Sequence, residues 1–203
     1  CEYETVQIGH QVWMQENLKA THYRNGDAIP TGLDNDAWAS TEEGAYAVYD
    51  DDSENAEIYG NLYNWYTVDD NREVCPDGFH VPSDDEYTGL TDYLGSANIA
   101  GGKMKEAGTE HWNSPNTGAT NESGFTGLPA GLRYYNNPGN FTYMGTYGYF
   151  WSSSEASSSN AWSRGLNHNL SSVYRGSDYN KHYGVSIRCL SDETLNTTIL
   201  VPE

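Results

Sequence analysis

The chain has 203 residues, enough for one domain with a buried core, and aromatic residues make up 13% of it, which excludes wholesale disorder. The 29 acidic and 10 basic side chains give a formal net charge of −19 at pH 7, which repels nucleic acid and anionic membrane surfaces and excludes a nucleic-acid-binding role. The 21 glycines and the absence of a long apolar run predict a loop-rich α+β domain without a transmembrane helix.

The first predicted element is a β-hairpin. Thr5–Ile8 and Gln11–Met14 alternate apolar and polar residues around Gly9, a pattern typical of two strands joined by a two-residue turn. Residues 24–57 then lose periodicity and collect glycine, aspartate, asparagine and serine, which predicts a long surface loop. The acidic run 50–54 at the end of this segment does not have EF-hand spacing, so we expect a solvated loop and no metal site.

One helix is predicted from its end signals. Ser83 and Glu86 have the spacing of a capping box, and apolar residues recur at helical spacing as far as Leu94. We therefore expect a helix over 84–94 that ends at Gly95. The other predicted elements are an aromatic core segment at 59–66, a short helical piece at 103–105 and aromatic strands at 124–125, 134–135 and 149–151.

Catalytic signatures are missing from the sequence. The six histidines form neither His-x-His nor His-Glu-x-x-His spacing, so a zinc hydrolase is not supported. The sequence contains no Gly-x-Ser-x-Gly elbow, no phosphate-binding loop and no dinucleotide fingerprint. We predict no catalytic residues, no metal ligands and no cofactor.

The three cysteines allow two interpretations. In a cytosolic protein, Cys1, Cys75 and Cys189 are all free thiols, whereas in an exported protein Cys75 pairs with Cys189. A chain that starts at cysteine is typical of a bacterial lipoprotein with lipid on that residue; the alternative is that position 1 is an arbitrary boundary. We favour export, and predict an intramolecular Cys75–Cys189 disulfide and lipidation of Cys1.

Six blocks of sequence, in a fixed order, point to a family. They lie at 6–18, 59–65, 75–83, 124–131, 150–155 and 184–189, and include Gly-Phe-His-Val-Pro-Ser at 78–83 and Phe-Trp-Ser-Ser-Ser-Glu at 150–155. In this order they resemble the major paralogous domain of Fibrobacter and Bacteroidetes surface proteins. That family is similar to formylglycine-generating-enzyme-like domains, a branch of the C-type lectin fold.

The resemblance implies a single α+β domain of C-type lectin-like architecture, with a mixed twisted sheet, few helices and a loop-rich face. We place this domain at 5–190, after an N-terminal anchor segment at 1–4 and before a C-terminal tail at 191–203. Formylglycine-generating enzymes need a dedicated pair of active-site cysteines, and none is left once Cys75 and Cys189 are paired. The Glu-Pro-Asn, Gln-Pro-Asp and Trp-Asn-Asp motifs of calcium-dependent lectins are also missing, so neither activity is implied here. An oxidase-type enzyme remains a third alternative.

Segment 160–184 carries the most functional information. The residues that look like family scaffold are Ala161, Trp162, Arg164, Leu166, Val173, Arg175, Lys181 and Gly184. The remaining residues are Ser, Gly, Asn, His, Leu, Tyr and Asp, all reachable from an asparagine codon by replacing adenines alone. This pattern resembles the variable region of a diversity-generating retroelement target, although such regions usually end the protein. The alternative is a polar surface loop without that history.

We therefore predict a non-enzymatic, ligand-binding surface protein with a hypervariable binding face. The ligand is expected to be a protein or glycan on another cell or phage, and the location the outer face of a bacterial outer membrane or the extracellular space. The alternative is a lectin or adhesin of fixed specificity that stacks sugar rings on Tyr134, Tyr135 and Tyr143. The predicted contact residues are Ser163, Gly165, Asn167, His168, Asn169, Tyr174, Ser177, Asp178, Tyr179, Asn180, His182 and Tyr183.

Overall fold

The structure is a computed structural model that describes residues 3–136 and 140–193. The predicted lipidation site Cys1 and most of the predicted tail at 191–203 lie outside these residues. The helices are α1 (Asn35–Ser40), α2 (Ser53–Tyr59), α3 (Trp65–Val68), α4 (Asp84–Tyr93) and α5 (Ala97–Met104), with a 3-10 turn at Tyr49–Asp51. The strands are β1 (Thr5–Ile8), β2 (Gln11–Met14), β3 (Tyr46–Ala47), β4 (Leu62–Tyr63), β5 (Phe79–His80), β6 (Leu132–Arg133), β7 (Phe141–Thr142), β8 (Tyr147–Glu155), β9 (Asn160–Asn167), β10 (Val173–Asn180) and β11 (Leu190–Ser191).

The strands form several small sheets, which confirms the predicted α+β class. The sheet with the most strands has the order β1-β2-β11-β5, so the first and last strands of the described chain belong to the same sheet. A second sheet has the order β10-β9-β8, and β3-β4 and β6-β7 form two-stranded pairs. All the paired named strands are antiparallel. Strands β8, β9 and β10 have 9, 8 and 8 residues and are the longest of the described strands, so they form the widest sheet surface.

The predicted hairpin and capped helix are both present. Strands β1 and β2 pair antiparallel, and Gly9 between them has a φ of +65°, which glycine adopts without steric cost. In α4 the Ser83 side chain accepts a hydrogen bond from the Glu86 backbone N–H, and the Glu86 side chain accepts one from the Ser83 N–H. Both capping-box interactions are therefore made, and the helix starts where its end signal predicts.

Four local predictions are corrected. The predicted loop at 24–57 contains α1 and α2, each started by an aspartate, Asp34 or Asp52, whose carboxylate accepts a backbone N–H. These helices are too short for an apolar periodicity to show in the sequence. Helix α5 starts at Ala97, well before the predicted piece at 103–105. Residues 124–125 lie in a loop, and the strand near 134–135 is β6, two residues earlier.

The core lies on both faces of the β8-β9-β10 sheet. Adjacent residues of a strand point to opposite faces, and Phe150 and Trp151 of β8 pack in different clusters. Phe150 packs with Trp13 and Leu166, beneath α4 and α5. Trp151 packs in the cluster that contains Cys189. The predicted Cys75–Cys189 disulfide is present and joins the segment before β5 to the segment before β11.

A buried arginine ties the chain ends to the core. The Arg188 Nη2 donates to Asn17 Oδ1 at 2.6 Å and its Nη1 donates to the Met14 carbonyl at 3.1 Å and to the Phe125 carbonyl. Burial lowers the pKa of Arg188 to about 9. Its guanidinium lies 4.3 Å from the Phe125 ring centroid, so aromatic and carbonyl groups, rather than a carboxylate, surround the charge.

Candidate ligand-binding site

The segment predicted to bind ligand forms β9, the following turn and β10. Leu166 pairs with Val173, and Gly165 pairs with Tyr174, so the two strands run antiparallel through this segment. Six of the eight residues assigned to the scaffold are buried: Ala161, Arg164, Leu166, Val173, Lys181 and Gly184. Trp162 and Arg175 are less buried, and the guanidinium of Arg175 lies 3.9 Å from the Trp162 ring centroid. The buried residues hold both strands while neighbouring side chains face outward.

A cleft of about 460 Å³ lies against this sheet. It brings together side chains of β6, β8, β9 and β10 with those of the intervening loops. Its lining residues are Leu132, Tyr134, Tyr143, Tyr147, Tyr149, Gly165, Leu166, Asn167, Leu170, Ser172, Tyr174, Asp178, Tyr179 and Tyr183. The cleft has the volume of a small-molecule or side-chain site.

Six tyrosines of the cleft form a closed ring of aromatic contacts, which we call the tyrosine ring. The successive ring-centroid distances are 6.4 Å for Tyr134–Tyr143, 5.2 Å for Tyr143–Tyr147, 5.3 Å for Tyr147–Tyr149, 5.3 Å for Tyr149–Tyr179, 5.7 Å for Tyr179–Tyr183 and 5.3 Å for Tyr183–Tyr134. Tyr147 and Tyr149 are stacked with an interplanar angle of 6°. Such aromatic pairs are worth about 0.5–1.5 kcal/mol each beyond the area they bury, so the rings support one another.

The hydroxyls of Tyr134, Tyr149 and Tyr179 in the tyrosine ring have raised pKa values and stay protonated. A hydrogen bond with Tyr143, then burial, raises the pKa of Tyr134 to about 12. Burial is the main cause that raises the pKa values of Tyr149 and Tyr179. A neutral phenol both donates and accepts a hydrogen bond, so the cleft combines aromatic surface with polar groups.

The carboxylate of Asp178 lines the cleft beside the tyrosine ring. The Tyr174 hydroxyl donates to Asp178 Oδ1 at 3.4 Å, and both residues are exposed. Burial and the nearby Asp178 charge raise the pKa of Tyr174. The Asp178 carboxylate therefore places a negative charge beside Tyr174 in the cleft.

A buried lysine holds the turn between β9 and β10. Lys105 Nζ donates to the backbone carbonyls of Thr117 at 3.0 Å, Asn167 at 2.9 Å and Leu170 at 2.8 Å. These three bonds use all the donors of the ammonium group. Burial lowers the pKa of Lys105 to about 8. Because Lys105 contacts only backbone atoms of the turn, its hold does not depend on the turn's side chains.

The structure brings together six of the twelve predicted contact residues in this cleft. They are Gly165, Asn167, Tyr174, Asp178, Tyr179 and Tyr183. Tyr134 and Tyr143, named for the alternative lectin, line the same cleft, and Tyr135 contacts Tyr183 at 5.1 Å. Members of both sets of candidate residues therefore line one cleft.

The other predicted contact residues lie outside the cleft. His168 donates to the Ser114 carbonyl at 3.1 Å, and Asn169 Nδ2 donates to His168 Nε2 at 2.9 Å in the β9-β10 turn. His182 lies 5.1 Å from the Tyr66 ring, and its pKa is lowered chiefly by burial. Ser177 is exposed and Asn180 is half-buried.

The prediction that Ser163 contacts the ligand is corrected. Ser163 is 0% exposed, and it pairs across the sheet with Trp151 on one side and Gly176 on the other. Directly paired residues share a sheet face, so the Ser163 side chain lies on the same buried face as Trp151. It belongs to the scaffold.

Six lining residues were not predicted as ligand contacts from the sequence: Leu132, Tyr147, Tyr149, Leu166, Leu170 and Ser172. For the two tyrosines a signal was available. Tyr147 and Tyr149 are two residues apart in a strand, and this spacing places both side chains on one sheet face. Leu170 and Ser172 lie in the β9-β10 turn, where no periodicity marks the direction of a side chain.

Residues 3–136 and 140–193 contain no group of three or more His, Cys, Asp or Glu side chains placed to hold a metal ion. Among the same residues, no helix has the length and apolar character needed to cross a membrane.

A family model described as the Fibrobacter succinogenes major domain matches residues 6–191, which is most of the chain. Neither the curated proteins nor the solved structures include a match to this chain. The family match agrees with the sequence motifs and confirms the resemblance to the Fibrobacter domain. The chain therefore belongs to the Fibrobacter succinogenes major domain family.

Proposed function

We propose that this domain is a non-enzymatic ligand-binding module whose ligand lies in the tyrosine-lined cleft. The observation that carries the proposal is the closed tyrosine ring, which combines side chains from separate elements around one cavity. Tyrosine provides a large, rigid contact area at low entropic cost, and its hydroxyl adds polar specificity. Among the tyrosines that line the cleft, Tyr149 is buried, whereas Tyr143 and Tyr174 remain exposed for contact.

We further propose that adenine-directed mutagenesis varies the exposed residues of 163–183. Support comes from how the backbone of this segment is held. Within the β9-β10 turn, Lys105 bonds only to backbone carbonyls, those of Asn167 and Leu170. The Thr117 N–H donates to the His168 carbonyl at 2.7 Å, and the Gly102 N–H donates to the Ser171 carbonyl at 2.9 Å. These bonds persist when the exposed side chains change, and exposed substitutions usually cost less than about 0.5 kcal/mol.

The proposal includes a C-type lectin-like fold, related to formylglycine-generating enzymes, and a location at the bacterial surface. The disulfide between Cys75 and Cys189 supports export, because disulfides persist in oxidising compartments. Lipid on Cys1 would attach the domain to the outer membrane, and the partner would be a protein or glycan on another cell or phage.

Binding through the cleft is tested by removing an exposed tyrosine. The probes are a glycan array and an array of bacterial surface proteins, each incubated with the wild-type domain. We expect Tyr174→Ala to weaken every cleft-dependent signal, because its side chain is 53% exposed and lines the cleft. Tyr93→Ala is the matched control, since Tyr93 is 65% exposed on α4 and does not line the cleft. Equal signals from the two variants would rule out the cleft as the binding site.

The variation proposal is tested in the genome. We expect a reverse-transcriptase gene near this gene, with a template repeat that matches the segment encoding 160–184 and differs from it at adenines. A neighbourhood without both would refute the retroelement proposal and leave a binding domain of fixed specificity.

A fixed-specificity lectin is the second candidate function. It is favoured by one observation, that Tyr134 and Tyr143 line the same cleft as the segment 163–183. Because both tyrosines lie outside the proposed variable segment, every variant of that segment would keep them as a surface on which sugar rings can stack. Binding of one glycan class by natural variants that differ only within 163–183 would support the lectin.

A further inference from the structure

We propose that the tyrosine-lined cleft receives a cationic group of the ligand, an ammonium or a guanidinium. This inference rests on the proposed function and specifies the ligand chemistry of the same site. The face of an aromatic ring carries negative electrostatic potential, and cations within about 6 Å of a ring centroid are attracted to it. A ring of six tyrosines surrounds this cleft, so a bound cation would lie close to several rings.

The charges that line the cleft favour a cation. Asp178 contributes a carboxylate beside Tyr174, at 3.4 Å from its hydroxyl. Among the described residues that line the cleft, none is lysine, arginine or histidine. The site therefore offers one negative charge and several aromatic faces, and a cation can use both.

The basic residues of the elements around the cleft are engaged elsewhere. Arg164 and Arg175 bind Asp84, Lys181 binds Glu155, and the Arg133 Nη2 donates to the Leu33 carbonyl at 2.8 Å. Lys105 donates its three N–H groups to the backbone carbonyls of Thr117, Asn167 and Leu170. None of these five cations lines the cleft, so Asp178 is the one charged side chain among the described lining residues.

The whole molecule adds a long-range contribution. With a formal net charge of −19, the chain attracts cations and steers basic surfaces toward itself at low ionic strength. The cleft volume of about 460 Å³ exceeds that of a single ammonium or guanidinium group, so a side chain or a small quaternary amine can enter with its charge leading.

The test uses simple probes and the intact domain. Tetramethylammonium, choline and an arginine-containing peptide are titrated against protein carrying isotope-labelled tyrosine, and the ring resonances are followed by NMR. Glucose and N-acetylglucosamine are the neutral probes, and sodium chloride at matched ionic strength controls for salt. We expect the cationic probes to shift the cleft tyrosines and to leave Tyr93 unchanged. The tighter cationic probe then identifies the source, a small quaternary amine or a basic peptide.

Three variants separate charge from shape. Tyr174→Ala is expected to weaken cation binding by about two- to fivefold, the size of an exposed cation–π contact, whereas Tyr174→Phe keeps the ring and most of the affinity. Asp178→Asn keeps the side-chain shape and is expected to weaken cation binding and reduce its salt dependence. Asp85→Asn, which removes an exposed charge on α4, is the matched control.

The outcomes distinguish this inference from the proposed function. Binding of neutral sugars in the cleft without binding of any cationic probe would overturn the cationic assignment and leave the binding module in place. Absence of shifts with every cationic probe would overturn it as well. Equal array signals from Tyr174→Ala and Tyr93→Ala would instead refute the proposed function itself.

Discussion

At the residue scale, His80 joins the last described strand to α4. Its Nδ1 lies 2.6 Å from Asp192 Oδ1 and its Nε2 lies 3.1 Å from Glu86 Oε1. An imidazolium donates to both carboxylates at once, whereas neutral imidazole has a single N–H. The hydrogen bond with Glu86 is the largest influence on the His80 pKa, and with Asp192 it raises that pKa above 6.5 despite burial.

This geometry predicts a pH-dependent stability. Because the pKa of His80 is higher in the folded than in the unfolded protein, its stabilising contribution is complete below pH 6.5 and is lost as the pH rises through the raised value. We expect His80→Gln to remove this fall from the profile of unfolding free energy against pH, measured by urea denaturation. His22→Gln, at an exposed histidine, should leave the profile unchanged. Parallel profiles for wild type and His80→Gln would contradict the prediction.

At the element scale, the first residue of α4 anchors the helix to the sheet beneath the cleft. Asp84 is buried, and Arg164 Nη1 donates to its Oδ1 at 2.6 Å while Arg175 Nη2 donates to its Oδ2 at 2.5 Å. Burial is the largest influence and raises the pKa of Asp84, but the bonds from Arg175 and Arg164 outweigh it, so the pKa is lowered. The carboxylate therefore connects α4 to both β9 and β10.

Removing this charge should destabilise the domain. Asp84→Asn leaves the buried guanidinium of Arg164 without a carboxylate, and breaking a buried ion pair costs about 3–5 kcal/mol. We expect a lower urea midpoint for Asp84→Asn, whereas the neighbouring exposed Asp85→Asn should cost at most about 1 kcal/mol. Because the pKa of Asp84 is lower in the folded protein, the difference between wild type and Asp84→Asn should shrink as the pH falls below 3.8. Equal midpoints for the two variants would show that the Asp84 pair does not hold the helix.

At the scale of the whole molecule, one disulfide constrains the unfolded chain. Cys75 and Cys189 are 114 residues apart, and loop-closure entropy for a loop of this length corresponds to about 4–5 kcal/mol. We expect the double variant Cys75→Ser, Cys189→Ser to lose up to about this amount of unfolding free energy. Urea denaturation measures the loss, and wild-type protein with reductant should match the double variant. Cys1→Ser is the control, and a double variant as stable as the oxidised wild type would contradict the prediction.

Local signals account for much of the fold. The hairpin Thr5–Ile8 to Gln11–Met14 follows from alternation and one glycine, and the start of α4 follows from the Ser83 capping box. Such signals act between residues at most a few positions apart, so they can be recognised in the sequence. The short helices α1 and α2 were missed because six or seven residues are too few for a periodic pattern.

The sequence by itself indicated the α+β class and the family and favoured the pairing of Cys75 with Cys189, since each depends on composition, motif order or a small count of residue types. Only the tertiary structure decided which side chains meet. Tyr134 and Tyr183 are far apart in the chain, and their rings lie in contact because their neighbours Arg133 and Gly184 pair in an antiparallel bridge. Strand pairing likewise placed Ser163 beside Trp151 on one sheet face. Strand register and loop packing are long-range properties, and no local pattern encodes them.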